Sequence, residues 1–144
     1  MRGYFGIGIY NGKTSINQGT LWRSAYIMGA QYVFTIGRRW EKQASDTTKS
    51  WRHLPMFHYQ DMRHFLSHIP FSCAVIGIEQ GGANIKNFIH PERAIYILGA
   101  EDTGLPDEVL GNCVHVIEIP SHRPLCMNVA VAGSIVMYDR LLKS

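Results

Sequence analysis

Residues 97–143 read ILGAEDTGLPDEVLGNCVHVIEIPSHRPLCMNVAVAGSIVMYDRLLK, and the fold class follows from their punctuation. An apolar run ends in a glycine turn with a carboxylate, Gly99-Ala100-Glu101. Pro106 opens a short helix through Leu110, with Asp107 and Glu108 in its first turn and Gly111 just past it. Val114 to Ile119 is a strand pattern closed by Pro120. A polar loop then leads into a long apolar helix, from about 126 to 142, that carries Asn128 near its start. Strand, helix, strand, helix is the rhythm of an α/β domain.

The preceding residues continue that rhythm. Residues 4–9, YFGIGI, form a strand pattern, and Asn11-Gly12 marks a turn. Leu21, Ala25 and Met28 recur at i, i+4 and i+7, which predicts a helix over about 18–28. Asn17 stands where an N-cap would and Gly29 where a C′ glycine would. Gln31 to Ile36 is a second strand. Leu54 to Tyr59, Ser72 to Ile78 and Arg93 to Leu98 are three more, and Asp61 to His68 is a short helix. Glu79-Gln80-Gly81-Gly82 reads as a loop after its strand. The expected architecture is α/β, a parallel sheet with helices on both faces. Without a repeat or linker, residues 1–144 form one domain.

Composition narrows the function classes. Of 144 residues, 46% are hydrophobic and 17% charged, which is globular rather than disordered. A formal charge of +3 fits an anionic partner without requiring one. The 37–53 stretch concentrates that charge: Arg38, Arg39, Lys42, Lys49 and Arg52 stand beside Trp40 and Trp51, against Glu41 and Asp46. The 3 cysteines, Cys73, Cys113 and Cys126, form no C-x-x-C pair, which favours a reducing cytoplasm over a disulfide scaffold. Cys126 reads as a small buried thiol. No signal-peptide pattern opens the chain, and Asn128, Gly133 and Ser134 interrupt the last apolar stretch, so it reads as a core or interface helix.

Several chemistries are absent as patterns. No G-x-G-x-x-G opens a helix, and Leu105 follows Gly104 where a P-loop needs lysine. His64 and His68 share one helix face, but no third ligand accompanies them, so no metal site is expected. Asn128 in an apolar helix is costly unless its amide is satisfied, by a cap or by a ligand.

Three groups of residues, taken in order, carry a resemblance. The first is Asn17, Gly19, Arg23 and Ala25; the second is Gly99, Glu101, Gly104 and Leu105. The third is Ile119-Pro120 followed by Cys126-Met127-Asn128-Val129-Ala130-Val131-Ala132. Together they resemble the three motifs of the SPOUT superfamily, of the TrmH (SpoU) type of RNA ribose 2′-O-methyltransferase. The resemblance spans nearly the whole chain. It implies a C-terminal trefoil knot, a homodimer through the C-terminal helix, and S-adenosylmethionine as cofactor. Ile78, Gly99, Ile119 and Met127 become the expected cofactor contacts, largely through backbone groups. Arg23, Glu101 and Asn128, supported by Asn17, become the expected catalytic set.

A guanidinium stays protonated, so Arg23 is expected to hold a phosphate and stabilise a forming alkoxide rather than act as a base. Arg38, Arg39, Trp40, Lys42 and Arg52, with Lys49 and Trp51, become candidate RNA contacts. One departure is Cys126, where the family commonly has serine. Only 16 residues precede the first motif, so the catalytic domain and its mate are expected to hold the RNA, tRNA in preference to rRNA. The competing readings are an RNA-binding module that keeps the fold without catalysis, and a nucleotide-binding oxidoreductase.

Overall fold

The computed structural model describes residues 3–38, 52–100 and 103–144. Glu101 lies outside them, as do Arg39, Trp40, Lys42, Lys49 and Trp51. The elements are β1 (Tyr4–Tyr10), α1 (Ser15–Met28), β2 (Tyr32–Ile36), β3 (Met56–Tyr59), α2 (Met62–Leu66), β4 (Ala74–Asn84), β5 (Arg93–Gly99), α3 (Asp107–Leu110), β6 (His115–Glu118) and α4 (Val129–Leu142). The strands form a 6-stranded sheet in the order β3-β2-β1-β5-β4-β6, with every pairing parallel. The expected α/β class is what the chain adopts.

The alternation of strand side chains divides the core into two layers. On one face Phe5, Ile7, Ile9, Tyr96 and Leu98 pack with Leu21, Trp22 and Ala25 of α1 and Ala130, Val136 and Met137 of α4. On the other, Phe34, Ile36, Ile95 and Ile97 pack with Met62 and Phe65 of α2 and Val109 of α3. The glycines of YFGIGIY make room on the second face: a Cβ at Gly6 would enter the Tyr32 ring, and one at Gly8 the Phe34 ring. Gly133 lets α4 settle against Leu21 and Leu98 in the same way.

Four local expectations are corrected. Asn17 is not the N-cap of α1; Thr14 holds that position, and Asn17 lies in the first turn. The last helix begins at Val129 with Asn128 as its cap, not at 126, because the polar loop runs on to that cap. Residues 79–82 do not end β4. Ile117 of β6 pairs with both Ile78 and Ala83, so 79–82 bulge outward within a strand that continues to Asn84. Cys126 is exposed rather than buried.

Gly29 closes α1 in the left-handed region, φ 88°, donating to the carbonyls of Ala25 and Tyr26. Asp61 caps α2 by accepting from the His64 N–H at 2.8 Å.

Candidate functional site

All six strands point the same way, so their carboxyl ends share one edge. Chain order runs from β1 outward to β3 on one side, while β5 lies against the other side of β1. Open α/β sheets bind ligands beyond the carboxyl ends near such a reversal. A cleft opens beyond the carboxyl ends of β4, β5 and β6, to one side of that reversal. Its apolar wall includes Ile78, Leu98, Ile119, Leu125, Met127 and Val129. The polar side holds Glu79, Gln80 and Ser121. All four expected cofactor contacts, Ile78, Gly99, Ile119 and Met127, line this cleft, as does Cys126.

The floor is a tight turn. Gly104 donates to the Ala100 carbonyl at 2.8 Å, with φ 63°. A Cβ at Gly99 would collide with the Gly104 backbone. Both positions therefore need glycine, one for close approach and one for its left-handed backbone. Glu79 leans over this turn. One of its carboxylate oxygens accepts from the Leu105 N–H at 2.6 Å and the other from the Gln80 N–H at 2.9 Å. The sequence places Glu79 at the carboxyl end of a strand, where open α/β sheets bind ligands, and the family resemblance puts loop 78–82 in the pocket. The reach of Glu79 to residue 105, across 26 positions, has no local signal.

At the rim, Asn128 joins two helices. Its side-chain oxygen accepts from the N–H groups of Ala130 and Val131, capping α4. Its amide donates to the Asn17 side-chain oxygen at 2.9 Å. The structure thus brings together two of the expected catalytic residues, 111 positions apart in sequence. Arg23 is exposed on α1, six residues past Asn17 and about 9 Å further along the helix axis. Arg38 is exposed just past the β2 end, and Arg52 is exposed ahead of β3.

The His64–His68 pair has its ring nitrogens committed. His64 Nδ1 accepts from the Gln60 N–H at 3.0 Å, while His68 Nδ1 lies 2.9 Å from the His64 carbonyl and must donate to it. The neutral rings therefore present one N–H and one lone pair at their outer nitrogens, a poor chelate. Among the described residues no cluster of three metal-ligating side chains occurs. Burial pushes the Cys113 thiol up to about 11, so it stays protonated.

A cleft beyond parallel strand ends, with the Asn17–Asn128 pair at its rim, is the kind of ligand site that open α/β sheets build. The model of the SpoU rRNA Methylase family matches residues 5–138, and the chain belongs to that family of RNA methyltransferases.

Solved structures resemble it in fold at low identity. The SpoU methyltransferase AviRb from Streptomyces viridochromogenes, in complex with AdoMet, has TM-score 0.90 at 18% identity, over 99% of this chain and 58% of that one. A structure described for the 2-OH methylation of C/U34 on tRNA has TM-score 0.84 at 23% identity, over 98% of this chain and 96% of that one. The TrmH/SpoU tRNA modifying enzyme of A. aeolicus has TM-score 0.86 at 16% identity, over 96% and 74%. This chain thus spans little more than half of AviRb but nearly all of the second protein. No curated protein sequence matches it.

SpoU methyltransferases use S-adenosylmethionine as methyl donor. The cleft fits that molecule: it has an apolar wall for adenine, glycines where the backbone must come close, and an acceptor-rich side.

Proposed function

We propose that this protein transfers the methyl group of S-adenosylmethionine to a ribose 2′-hydroxyl of RNA, tRNA in preference to rRNA. The observation that carries the reading is the juxtaposition of the glycine-floored cleft with the Asn17–Asn128 pair at its rim. Similarity along nearly the whole of a protein described for the 2-OH methylation of C/U34 on tRNA supports the choice of ribose and of tRNA.

In this reading, backbone groups of Ile78, Gly99, Ile119 and Met127 hold the cofactor. When bound, it supplies an electrophilic methyl on a sulfonium. Asn128, steadied by Asn17, orients the acceptor ribose together with Glu101. Arg23 holds the neighbouring phosphate and stabilises the oxygen as its proton passes to solvent water.

Arg23 lies outside its own chain's cleft, so a second copy supplies it. An almost wholly apolar groove between α1 and α4, lined by Thr20, Met28, Ala130, Val131, Ser134, Ile135 and Tyr138, is the surface such a copy covers. The groove therefore supports a homodimer through the C-terminal helix. Arg38 and Arg52, with Arg39, Trp40 and Lys42, are the proposed RNA contacts. The knotted return of the chain from β6 to α4 is part of the same reading. Among the described residues no helix is long and apolar enough to cross a membrane, and the cytoplasm is the proposed location.

Arg23→Ala tests the mechanism when methyl transfer and RNA affinity are measured separately. Transfer should fall about a hundredfold or more, while RNA affinity should fall far less. Unchanged transfer would remove Arg23 from the mechanism.

A further inference from the structure

Glu79 is the one charged side chain among the described residues that line the cleft. It has been positioned with care. The backbone N–H groups of Gln80 and Leu105 each take one of its oxygens, and a Cβ at Gly104 would strike the carboxylate. Its partners among the described residues are those two N–H groups, and no described cation pairs with it. A carboxylate offers about four acceptor sites. Two are occupied, which leaves a lone pair on each oxygen for a ligand.

We propose that the Glu79 carboxylate is the recognition group for the vicinal ribose hydroxyls of the bound cofactor. The proposal rests on the methyltransferase reading above and adds to it a side-chain determinant of cofactor choice. Three features of the cleft point to the diol. Glu79 directly follows Ile78, part of the apolar wall on which adenine would lie, and the ribose is the group bonded to adenine. Two oxygens held side by side match two adjacent O–H donors. The carboxylate is also fixed before the ligand arrives, so little ordering cost remains.

Calorimetric titration of the full chain tests this with the wild type and Glu79→Gln, which keeps the shape and removes the charge. The ligands are S-adenosylmethionine, 5′-methylthioadenosine, which keeps the diol but lacks the amino acid, and the 2′-deoxy and 3′-deoxy forms of methylthioadenosine. Removing either hydroxyl should weaken wild-type binding about tenfold to a hundredfold. In Glu79→Gln, methylthioadenosine should bind correspondingly less well, and the deoxy penalty should shrink to about threefold or less. A merely structural role would weaken every ligand alike and leave that penalty intact, which would overturn the proposal.

A loss seen with S-adenosylmethionine but not with methylthioadenosine would also overturn it, in favour of the methionine ammonium. If Glu79→Gln does not fold, the wild-type arm still decides, because the absence of any deoxy penalty there refutes the proposal. Failure of the wild type to bind S-adenosylmethionine at all would instead sink the methyltransferase reading.

Discussion

The side chain of Asn128 caps α4 through its oxygen and reaches Asn17 through its amide. An asparagine in an apolar stretch is visible in the sequence as a residue that must be satisfied. Which partner satisfies it is not visible, because Asn17 lies on another helix. Asn128→Ala removes both the cap and the link and should cost about 1–2 kcal/mol in urea unfolding. Asn128→Asp retains an acceptor at the cap and complements the positive helix end, so it should recover most of that loss. Equal destabilisation by the two substitutions would show that the cap contributes little. For Glu79 the sequence marks the strand end on which it stands but not its partner, the Leu105 backbone, which is brought near only when β4 pairs with β5.

At the scale of elements, α4 is anchored at its start by Asn128 and at its end by a buried polar chain. Arg140 donates to the Tyr96 hydroxyl at 3.1 Å and to the carbonyls of Pro91 and Glu92. His90 lies between the Tyr96 hydroxyl at 2.7 Å and the Asp139 carboxylate at 2.6 Å, and Lys143 also reaches Asp139 at 2.9 Å. With Tyr96 donating to His90 Nδ1 and His90 Nε2–H donating to Asp139, a neutral imidazole satisfies every member.

Burial holds the His90 imidazole below the usual histidine range. Arg140 and Lys143 reinforce this, and Asp139 opposes it. The unfolded chain takes up that proton near pH 6.5, at the ordinary histidine pKa of about 6.5. The folded chain takes it up only at lower pH. The unfolded state therefore binds more protons in that interval, and stability must fall as pH drops through it. Thermal melts should show full stability above about pH 6.5 and a declining Tm below it. His90→Gln should melt lower at pH 7.5 yet show a shallower decline. A decline of undiminished steepness would assign the pH dependence to other groups. The network has no signal in the sequence, since its members come from two stretches, 90–96 and 139–143, more than forty residues apart.

At the scale of the whole molecule, the groove between α1 and α4 leaves apolar surface in water, with Val131 48% and Tyr138 51% exposed. A double substitution, Val131→Glu with Tyr138→Glu, places charge in that groove while leaving the buried face of α4 untouched. Sedimentation should shift from dimer to monomer with Tm little changed. If the proposed dimer completes the site, methyl transfer should be lost with it, because Arg23 could no longer reach a second chain's cleft. A monomer that kept full activity would show that the site is complete within one chain.

Most element types, the 79–82 stretch excepted, and the class of fold were legible in the sequence. Period-two and helical spacing, turn glycines and proline stops are consequences of sterics within a few residues, so they can be read locally. Its ordered motifs also pointed to the four residues, Ile78, Gly99, Ile119 and Met127, that line one cleft. Strand order, the bulge at 79–82 and the meeting of Asn17 with Asn128 come from tertiary packing alone. These depend on which apolar faces pack together across a hundred or more residues. Many pairings share the same local pattern, and close packing of the two core layers selects among them.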